Sequence, residues 1–285
     1  PDELHTGFNF PFLMCNFNAQ EYREVIDASL ENDRKVGAPT TWVIENHDVP
    51  RSVNRYAKNN RKPIGEGAGP DENLAVDIVR KPVGEADLVI GRERARAAML
   101  LMLSLPGSTY MYQGQELALE EVLVPDEKRS DPAWIRSAGE HGMRDGCRVP
   151  LPWTRAGETF GFSNGASWLD QPRHWGELSA EAQTDDPASM LELTRKALRL
   201  RRNEPALGDG EMLWRDDLDL GSNVIAFERP ARLGGGGILV VCNTGDEPVT
   251  LAKAGEILAS SHIPLERTSS NALVIVPNTA VWLRA

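Results

Sequence analysis

The order of strand and helix patterns along the chain is the feature that most limits its possible folds. Thr40–Glu45 and Ser108–Tyr112 are two short, apolar, β-rich runs of the kind found in strands buried on both faces. The connections into these strands are short, Glu31–Pro39 and Pro106-Gly107, whereas those leaving them are long. Long loops at the carboxyl ends of strands are typical of a β/α barrel, where they build the active site. The pattern therefore predicts an α/β fold containing part of a (β/α)8 TIM barrel.

The remaining elements of this region carry their own signals. Asn18 with Glu21 three residues later resembles a capping box at the start of a helix. The apolar pattern of Glu85–Leu105 predicts a second helix, and Asp186-Pro187 is expected to start a third. The alternating aromatic residues of His5–Met14 predict a strand that leaves into a loop.

Two long connections leave the predicted strands. Lys58–Gly84 is rich in Gly, Pro and charge without a sustained period, which predicts a loop. Gln113–Pro187 is longer still. Because long loops in compact domains are often functional, we expect binding residues in them.

The pattern changes after Pro205 to short alternating strands, which predict a small antiparallel all-β domain. The expected strands are Met212–Trp214, Asn223–Arg229, Gly237–Asn243, Val249–Lys253, Ala272–Pro277 and Ala280–Arg284. Gly234–Gly237 is expected to be a hairpin turn, since neither a Lys-Ser or Lys-Thr pair nor a helix start follows, as a phosphate loop requires. We therefore expect residues 1–204 to belong to the barrel and residues 205–285 to be a separate β domain.

The composition excludes several classes of function. The formal net charge is −11 and the basic residues are scattered, so neither nucleic acid nor an anionic membrane is an expected partner. Cys15, Cys147 and Cys242 are far apart and lack the spacing of a zinc site or a disulfide framework, which favours a reducing cytoplasm. The longest apolar stretch, Ala95–Leu105, is well short of a membrane span.

Polar residues follow the predicted strands. Asn46-His47-Asp48 comes directly after the first strand, with Arg51 three residues later. Asn and Asp are also ordinary turn formers and a His-Asp pair can ligate a metal, so the tripeptide alone leaves several interpretations open. Two further motifs favour an active site: Tyr112–Glu116 at the end of the next strand and Arg144–Trp153 in the long loop.

In this order the motifs resemble those of α-glucosidases of the α-amylase superfamily, in the branch close to oligo-1,6-glucosidase. The family's seventh barrel strand ends in Asn-His-Asp with an Arg three residues on, as in Asn46–Asp48 and Arg51. Its eighth strand runs into Tyr-Gln-Gly-x-Glu, as in Tyr112–Glu116, and an Arg-x-Pro-x-x-Trp element follows, as in Arg148–Trp153. Leu4–Phe10 resembles the sixth strand. The resemblance covers nearly the whole chain.

The resemblance implies a retaining α-glucoside hydrolase that acts on short malto- or isomalto-oligosaccharides. Such enzymes use an Asp nucleophile, a Glu acid/base and a further Asp that holds sugar hydroxyls and opposes the developing positive charge. By the matched motif Asp48 is that transition-state-stabilising carboxylate, and His47 donates a hydrogen bond to the same sugar. Arg51 and Arg148 are implied substrate-binding residues. Two alternatives remain open: Arg51 neutralises Asp48 only, or Arg148 is a loop staple. Glu116 is expected to be a structural anchor.

The resemblance places the nucleophile and the acid/base on strands that precede Pro1, and no Gly-Phe-Arg-x-Asp element occurs in the chain. The chain also begins without Met or an apolar leader, so we expect a fragment that is inactive alone. Its expected partners are an oligosaccharide and the missing N-terminal half of the barrel, and no metal or cofactor is expected.

Two other interpretations remain open. One is a trehalose synthase-like α-glucosyl transferase or isomerase, which the long loop with Trp134 makes less favoured than a glucosidase. The other is a non-catalytic scaffold of the same fold. The retained Asn46-His47-Asp48 with Arg51 argues against a scaffold, because a scaffold does not need a carboxylate at the strand end.

Overall fold

The computed structural model describes residues 7–58, 83–142, 144–208 and 210–285, so most of the predicted loop Lys58–Gly84 lies outside the described residues. The chain forms two compact units. The first comprises Pro1–Ile44, Glu93–Tyr110 and Leu193–Ala285, and the second comprises Glu45–Arg92 and Met111–Glu192. These units group residues by spatial contact, and the sequence-based division into residues 1–204 and 205–285 stays a prediction.

A helical turn occupies the end of the strand predicted at His5–Met14. Helix α1 covers Phe10–Leu13, and its N-cap Asn9 accepts a hydrogen bond from the Phe12 N–H at 3.0 Å. Pro11 suits a first helical turn, where its missing N–H is not needed. The predicted strand is therefore wrong over residues 10–13, because a local cap outweighs the alternation of aromatic side chains.

Helix α2, Ala19–Val36, begins where its cap signal predicts. The Asn18 side chain accepts from the Glu21 N–H at 3.1 Å. The Glu21 carboxylate in turn accepts from the backbone N–H of Asn16 at 2.9 Å. Gly37 ends the helix in the left-handed region with φ 69°, which a residue without a Cβ adopts at little cost.

A parallel strand pair follows. Strand β1, Thr41–Val43, pairs in parallel with β2, Ser108–Tyr110, and the chain between them contains helices α3, Ser52–Lys58, and α4, Glu85–Ser104. The Trp42 indole N–H donates to the Pro106 carbonyl at 2.7 Å and so fixes the turn that enters β2. The predicted strand–helix–strand order is confirmed here, and parallel strands require such a crossover connection.

Two guanidinium groups satisfy the carboxyl end of α4, where the last carbonyls have no partner within the helix. Arg201 donates to the carbonyls of Leu103 at 2.5 Å and Leu105 at 2.9 Å. Arg229 is fully buried and donates to the Ser104 carbonyl at 2.6 Å and the Gly208 carbonyl at 2.5 Å. Burial lowers the pKa of Arg201. Both arginines thus tie α4 to the segment after Leu193.

The charged residues of the 20-residue helix α4 lie between Glu85 and Arg96, and its last turns are apolar. In the described parts of the chain, no helix combines the length and the apolar character needed to cross a lipid bilayer.

The strands after Pro205 are antiparallel, as predicted, and they form two sheets. They are β3 (Leu213–Trp214), β4 (Val224–Arg229), β5 (Ile238–Asn243), β6 (Val249–Leu251), β7 (Ile257–Ser260), β8 (Glu266–Arg267), β9 (Leu273–Ile275) and β10 (Thr279–Arg284). The five-stranded sheet has the order β3-β4-β5-β10-β7, and the three-stranded sheet has the order β6-β9-β8. Strands β7 and β8 were not predicted, because neither shows sustained alternation. The glycine run lies between antiparallel strands β4 and β5, as expected of a hairpin connection.

The second unit consists largely of irregular chain around an apolar core. It contains the short helices α5, Pro132–Arg136, and α6, Ala180–Gln183. Its core residues are Leu117, Leu119, Val124, Val149, Leu151, Leu169, Trp175 and Leu191. The Gln183 side chain donates to the Leu117 carbonyl at 2.9 Å and the Leu178 carbonyl at 2.8 Å. The predicted long loop Gln113–Pro187 is thus irregular chain that packs around an apolar core.

Helix α7, Met190–Asn203, begins three residues after Pro187.

We predict that Arg229→Met lowers the free energy of unfolding by about 3 kcal/mol, because it removes the guanidinium donors to the buried Ser104 carbonyl and to the half-buried Gly208 carbonyl. Urea denaturation monitored by Trp fluorescence measures this. Arg202→Met on the exposed face of α7 is the matched control and should change stability by less than about 0.5 kcal/mol. Equal effects of the two substitutions on the free energy of unfolding would contradict a stabilising role for the Arg229 hydrogen bonds.

Candidate functional site

Asp48 lies in a turn that directly follows β1 in the sequence. Its backbone N–H donates to the Asn46 side-chain oxygen at 2.8 Å, so the Asn fixes the turn. The Asp48 side chain is 31% exposed and that of His47 is 56% exposed, and His47 Nε2 lies 3.4 Å from Asp48 Oδ2. The tripeptide thus presents a carboxylate and an imidazole side by side to solvent.

Two arginines of the Arg144–Trp153 motif converge on this turn. Arg144 Nη1 donates to Asp48 Oδ1 at 2.9 Å, and Arg148 Nη2 lies 3.5 Å from the same oxygen. Arg148 also donates from Nε and Nη2 to the His47 carbonyl, at 3.1 and 2.9 Å. The strand-end motif and the long-loop motif are therefore in contact. Arg148 contacts both the backbone and the carboxylate of the turn, and its role in substrate binding stays a prediction.

Arg144 is itself held by a buried carboxylate. Its Nε donates to Asp131 Oδ2 and its Nη2 to Asp131 Oδ1, both at 2.8 Å. These bonds hold the pKa of Asp131 well below its usual range despite the opposing effect of burial, and they raise the pKa of Arg144. Asp131 also caps α5 by accepting from the Ala133 N–H at 3.0 Å. One guanidinium thus joins a buried carboxylate to the part-exposed carboxylate of Asp48.

Sequence reasoning missed the role of Arg144. The available signal was its place four residues before Arg148 in the same motif. Asp131 was recognisable only as a helix cap before Pro132, and a cap gives no indication of an ion pair thirteen residues away.

Arg51 is buried, with 1% of its surface exposed. Its Nη1 donates to the Gln113 carbonyl at 3.0 Å and its Nη2 to the Cys147 carbonyl at 3.0 Å, and Nη1 lies 3.4 Å from Glu45 Oε2. Among the described residues, the guanidinium partners of Asp48 are those of the long loop, not Arg51. Substrate binding by Arg51 stays a prediction, and the carboxylate it neutralises is that of Glu45.

Buried carboxyl groups surround Arg51. Glu45 accepts from the Ser52 N–H at 3.0 Å. Glu121 accepts from the Arg51 backbone N–H at 2.9 Å, and burial raises the pKa of Glu121 to about 8. Burial also raises the pKa of Glu116. At neutral pH Glu121 therefore retains its proton, which reduces the negative charge buried beside Arg51.

The Tyr112–Glu116 motif packs against the same guanidinium. The Tyr112 hydroxyl donates to the Cys147 carbonyl at 3.1 Å, and Glu116 accepts from the Gly114 N–H at 2.8 Å. Gly114 has φ 87°, and a Cβ there would lie 2.8 Å from Arg51 Nη1. Glycine is therefore required by both the backbone conformation and the close approach of the guanidinium. These contacts suit the anchoring role expected of Glu116.

Glu120 is a further buried carboxylate of this unit, away from Arg51 and Asp48. Glu120 accepts from Arg92 at 2.6 Å and from the Trp175 indole N–H at 2.9 Å, and it contacts His174. Burial would raise the pKa of Glu120, but the Arg92 charge and the His174 hydrogen bond outweigh burial and lower it. The cluster connects the start of the long loop to its later part.

The site offers one kind of chemistry: a fixed carboxylate beside a hydrogen-bond donor. Both guanidinium contacts fall on Asp48 Oδ1, whereas Oδ2 faces His47. A carboxylate has about four acceptor positions, so Asp48 retains capacity to accept bonds from hydroxyl groups. Within the described ranges, no set of three or more His, Cys, Asp or Glu residues is arranged to hold a metal ion.

Comparisons with known proteins agree with the motifs. A family model for the catalytic domain of α-amylase matches residues 84–210. A probable α-glucosidase of Rhizobium meliloti is 29% identical over 253 residues, which are 87% of this chain and 39% of that protein. A trehalose synthase/amylase of Mycobacterium tuberculosis is 28% identical over 221 residues, or 73% of this chain and 34% of that protein.

A solved structure shows the same likeness. The α-glucosyl transfer enzyme XgtA superimposes with a TM-score of 0.69 and 27% identity, over 99% of this chain and 46% of the XgtA chain. The chain thus spans well under two thirds of the length of the proteins it matches. The resemblance predicted from the motifs is confirmed: the chain is similar to the α-amylase catalytic domain over residues 84–210, and to α-glucosidases and α-glucosyl-transferring enzymes over most of its length.

Proposed function

We propose that the chain contributes part of a (β/α)8 barrel and part of the sugar site of a retaining α-glucosidase. The substrate class is short malto- or isomalto-oligosaccharides. The observation that carries the proposal is the Asp48 carboxylate, part-exposed after a parallel strand and fixed by Arg144 and Arg148. The parallel pair β1–β2 with its helical crossover suits a barrel segment. The name of the Rhizobium relative supports the α-glucoside substrate.

The proposed role of Asp48 is electrostatic. Cleavage of a glycosidic bond passes through an oxocarbenium-like transition state, which carries positive charge near the anomeric carbon. A carboxylate that is already oriented when this charge develops stabilises it without further reorganisation. Arg144 supplies the orientation through its bond to Oδ1, and Oδ2 remains available to accept from sugar hydroxyls. His47, beside Oδ2, donates to a hydroxyl of the same sugar in this proposal.

The nucleophile and the acid/base belong to strands that the matched motifs do not include. A retaining mechanism needs those two carboxyl groups roughly 5 Å apart, on either side of the bond that is cleaved. In the proposed enzyme they come from the N-terminal half of the barrel, and the present residues supply the third carboxylate. The cytoplasmic location stays a prediction from the cysteine content.

A second candidate is an α-glucosyl transferase or isomerase that uses the same carboxylates. The similarity to a trehalose synthase/amylase and to an α-glucosyl transfer enzyme favours keeping it. The two activities differ in the acceptor of the glucosyl group, which is water in a hydrolase and a sugar in a transferase. Chromatography of the products formed from maltose separates them: hydrolysis gives only glucose, whereas transfer to the released glucose gives a new disaccharide and transfer to a second maltose gives a trisaccharide and glucose.

We predict that Asp48→Asn in the full-length protein lowers kcat by about a hundredfold or more, because the amide keeps the shape and loses the charge. Release of nitrophenol from nitrophenyl α-glucoside measures the rate. Asp170→Asn, an exposed acid of the same unit, is the control and should leave kcat unchanged. Near-normal kcat in Asp48→Asn would reassign Asp48 to a structural role.

We also predict that Arg144→Lys lowers kcat/KM by about tenfold or more, because one ammonium group does not reproduce a fork that bonds Asp131 and Asp48 together. Arg136→Lys, on the exposed side of α5, provides the control and should keep wild-type kcat/KM. A wild-type value for Arg144→Lys would show that the Arg144–Asp48 contact does not orient the carboxylate.

A further inference from the structure

Arg51 joins three stretches of the second unit that are far apart in sequence. Its guanidinium donates to the Gln113 carbonyl, to the Cys147 carbonyl 96 residues away, and toward Glu45. Its backbone N–H donates to Glu121 at 2.9 Å. The side chain is enclosed by protein. Leaving a buried guanidinium without one of its hydrogen-bond partners costs free energy. These contacts therefore hold the segments that they join in fixed relative positions.

The bond to Cys147 is the one that reaches the site. Cys147 directly precedes Arg148, which donates to the His47 carbonyl and lies 3.5 Å from Asp48 Oδ1. The same short stretch begins with Arg144, the second cation on Asp48. The Cys147 carbonyl therefore belongs to the peptide that leads into Arg148, within the short stretch that carries both cations of Asp48.

The packing around Arg51 leaves little freedom. Gly114 approaches so closely that a Cβ would lie 2.8 Å from Arg51 Nη1. The guanidinium carbon lies 5.3 Å from the centre of the Tyr112 ring, within range of a cation–π contact. The Tyr112 hydroxyl donates to the same Cys147 carbonyl at 3.1 Å. The Cys147 carbonyl thus accepts from two donors, the Arg51 guanidinium and the Tyr112 hydroxyl. Two hydrogen bonds restrict the position of this carbonyl more than one would.

From these contacts we propose that Arg51 is a positioning residue, which sets the geometry of Asp48 through the Cys147–Arg148 peptide and does not itself contact the sugar. The proposal differs from a role in substrate binding because the guanidinium is enclosed. It also differs from simple neutralisation of Glu45, because two of its bonds go to uncharged carbonyls. The inference rests on the proposed glucosidase function for its kinetic readout.

A double-mutant cycle in the full-length protein tests it, with Arg51→Lys, Arg148→Lys and the double variant assayed on nitrophenyl α-glucoside. An ammonium group does not span the Gln113 and Cys147 carbonyls as the fork does. We expect Arg51→Lys to lower kcat/KM by about a hundredfold, as displacement of a catalytic group by about 1 Å does. In the Arg148→Lys background we expect the same change to cost at least about tenfold less, because the residue it positions is already altered.

Arg55→Lys is the matched control. Arg55 is as buried as Arg51, and its Nε donates to the Pro50 carbonyl at 2.9 Å. The fold-changes in kcat/KM caused by Arg55→Lys and by Arg148→Lys should multiply in the double variant, as expected for independent sites. If the effects of Arg51→Lys and Arg148→Lys also multiply, Arg51 does not act through Arg148 and the proposal is overturned.

A crystal structure of Arg51→Lys gives a readout that does not depend on activity. We expect the 144–148 segment to shift and the Arg148–His47 hydrogen bond to be lost. An unmoved segment would overturn the proposal whatever the kinetics show. A wild-type protein with no activity on any α-glucoside would instead contradict the proposed function, and the crystal structure would then decide the role of Arg51 alone.

Discussion

The forked guanidinium of arginine is the constraint on which this structure depends. In the second unit, Arg51 bonds two carbonyls and Arg144 bonds two carboxylates, so each joins separate segments of irregular chain. In the first unit, Arg201 and Arg229 do the same at the carboxyl end of α4. Five fixed donors on one planar group allow such bridging, and lysine lacks this geometry. In the described part of the long connection Gln113–Pro187, bridges of this kind join segments that lack the regular hydrogen bonds of helices and strands.

Burying these charges requires compensation. Arg51 lies near the buried carboxyls of Glu45 and Glu121, and a second full negative charge there would be costly to desolvate. The proton that Glu121 retains up to about pH 8 reduces this cost. Asp131 shows the opposite solution, since the bidentate bond from Arg144 keeps it ionised with a pKa well below its usual range. Asp48 shares that arginine and is part-exposed, so it keeps room for a ligand.

Sequence patterns predicted the elements whose signals are local. The cap at Asn18, the parallel strands and the antiparallel sheets were predictable because turn residues, caps and apolar periods act over a few positions. The turn at α1 was not, since two local signals competed at Asn9 and Phe10. The motifs assigned Asp48 and Arg148 to one expected site, and the structure places Arg148 Nη2 3.5 Å from Asp48 Oδ1. They did not separate the half-buried Arg148 from the fully buried Arg51, because burial depends on the packing of segments distant in sequence.

The ion pairs illustrate the same limit. Asp131 and Arg144 are recognisable as a cap and a motif residue, yet their bond follows from the path of the chain between them. The pairing of Arg51 with the Cys147 carbonyl leaves no trace in side-chain identity at position 147, because the acceptor is backbone. Contacts of this kind become visible only in the folded molecule.

The measurement that tests the central claim most directly is a crystal structure of the full-length protein with a bound glucosyl inhibitor such as 1-deoxynojirimycin. The account predicts that Asp48 accepts hydrogen bonds from ligand hydroxyls at about 2.7 Å, with Arg144 still on Oδ1 and with Arg51 outside contact with the ligand. A ligand bound elsewhere, or one that contacts the Arg51 guanidinium and leaves Asp48 untouched, would contradict it.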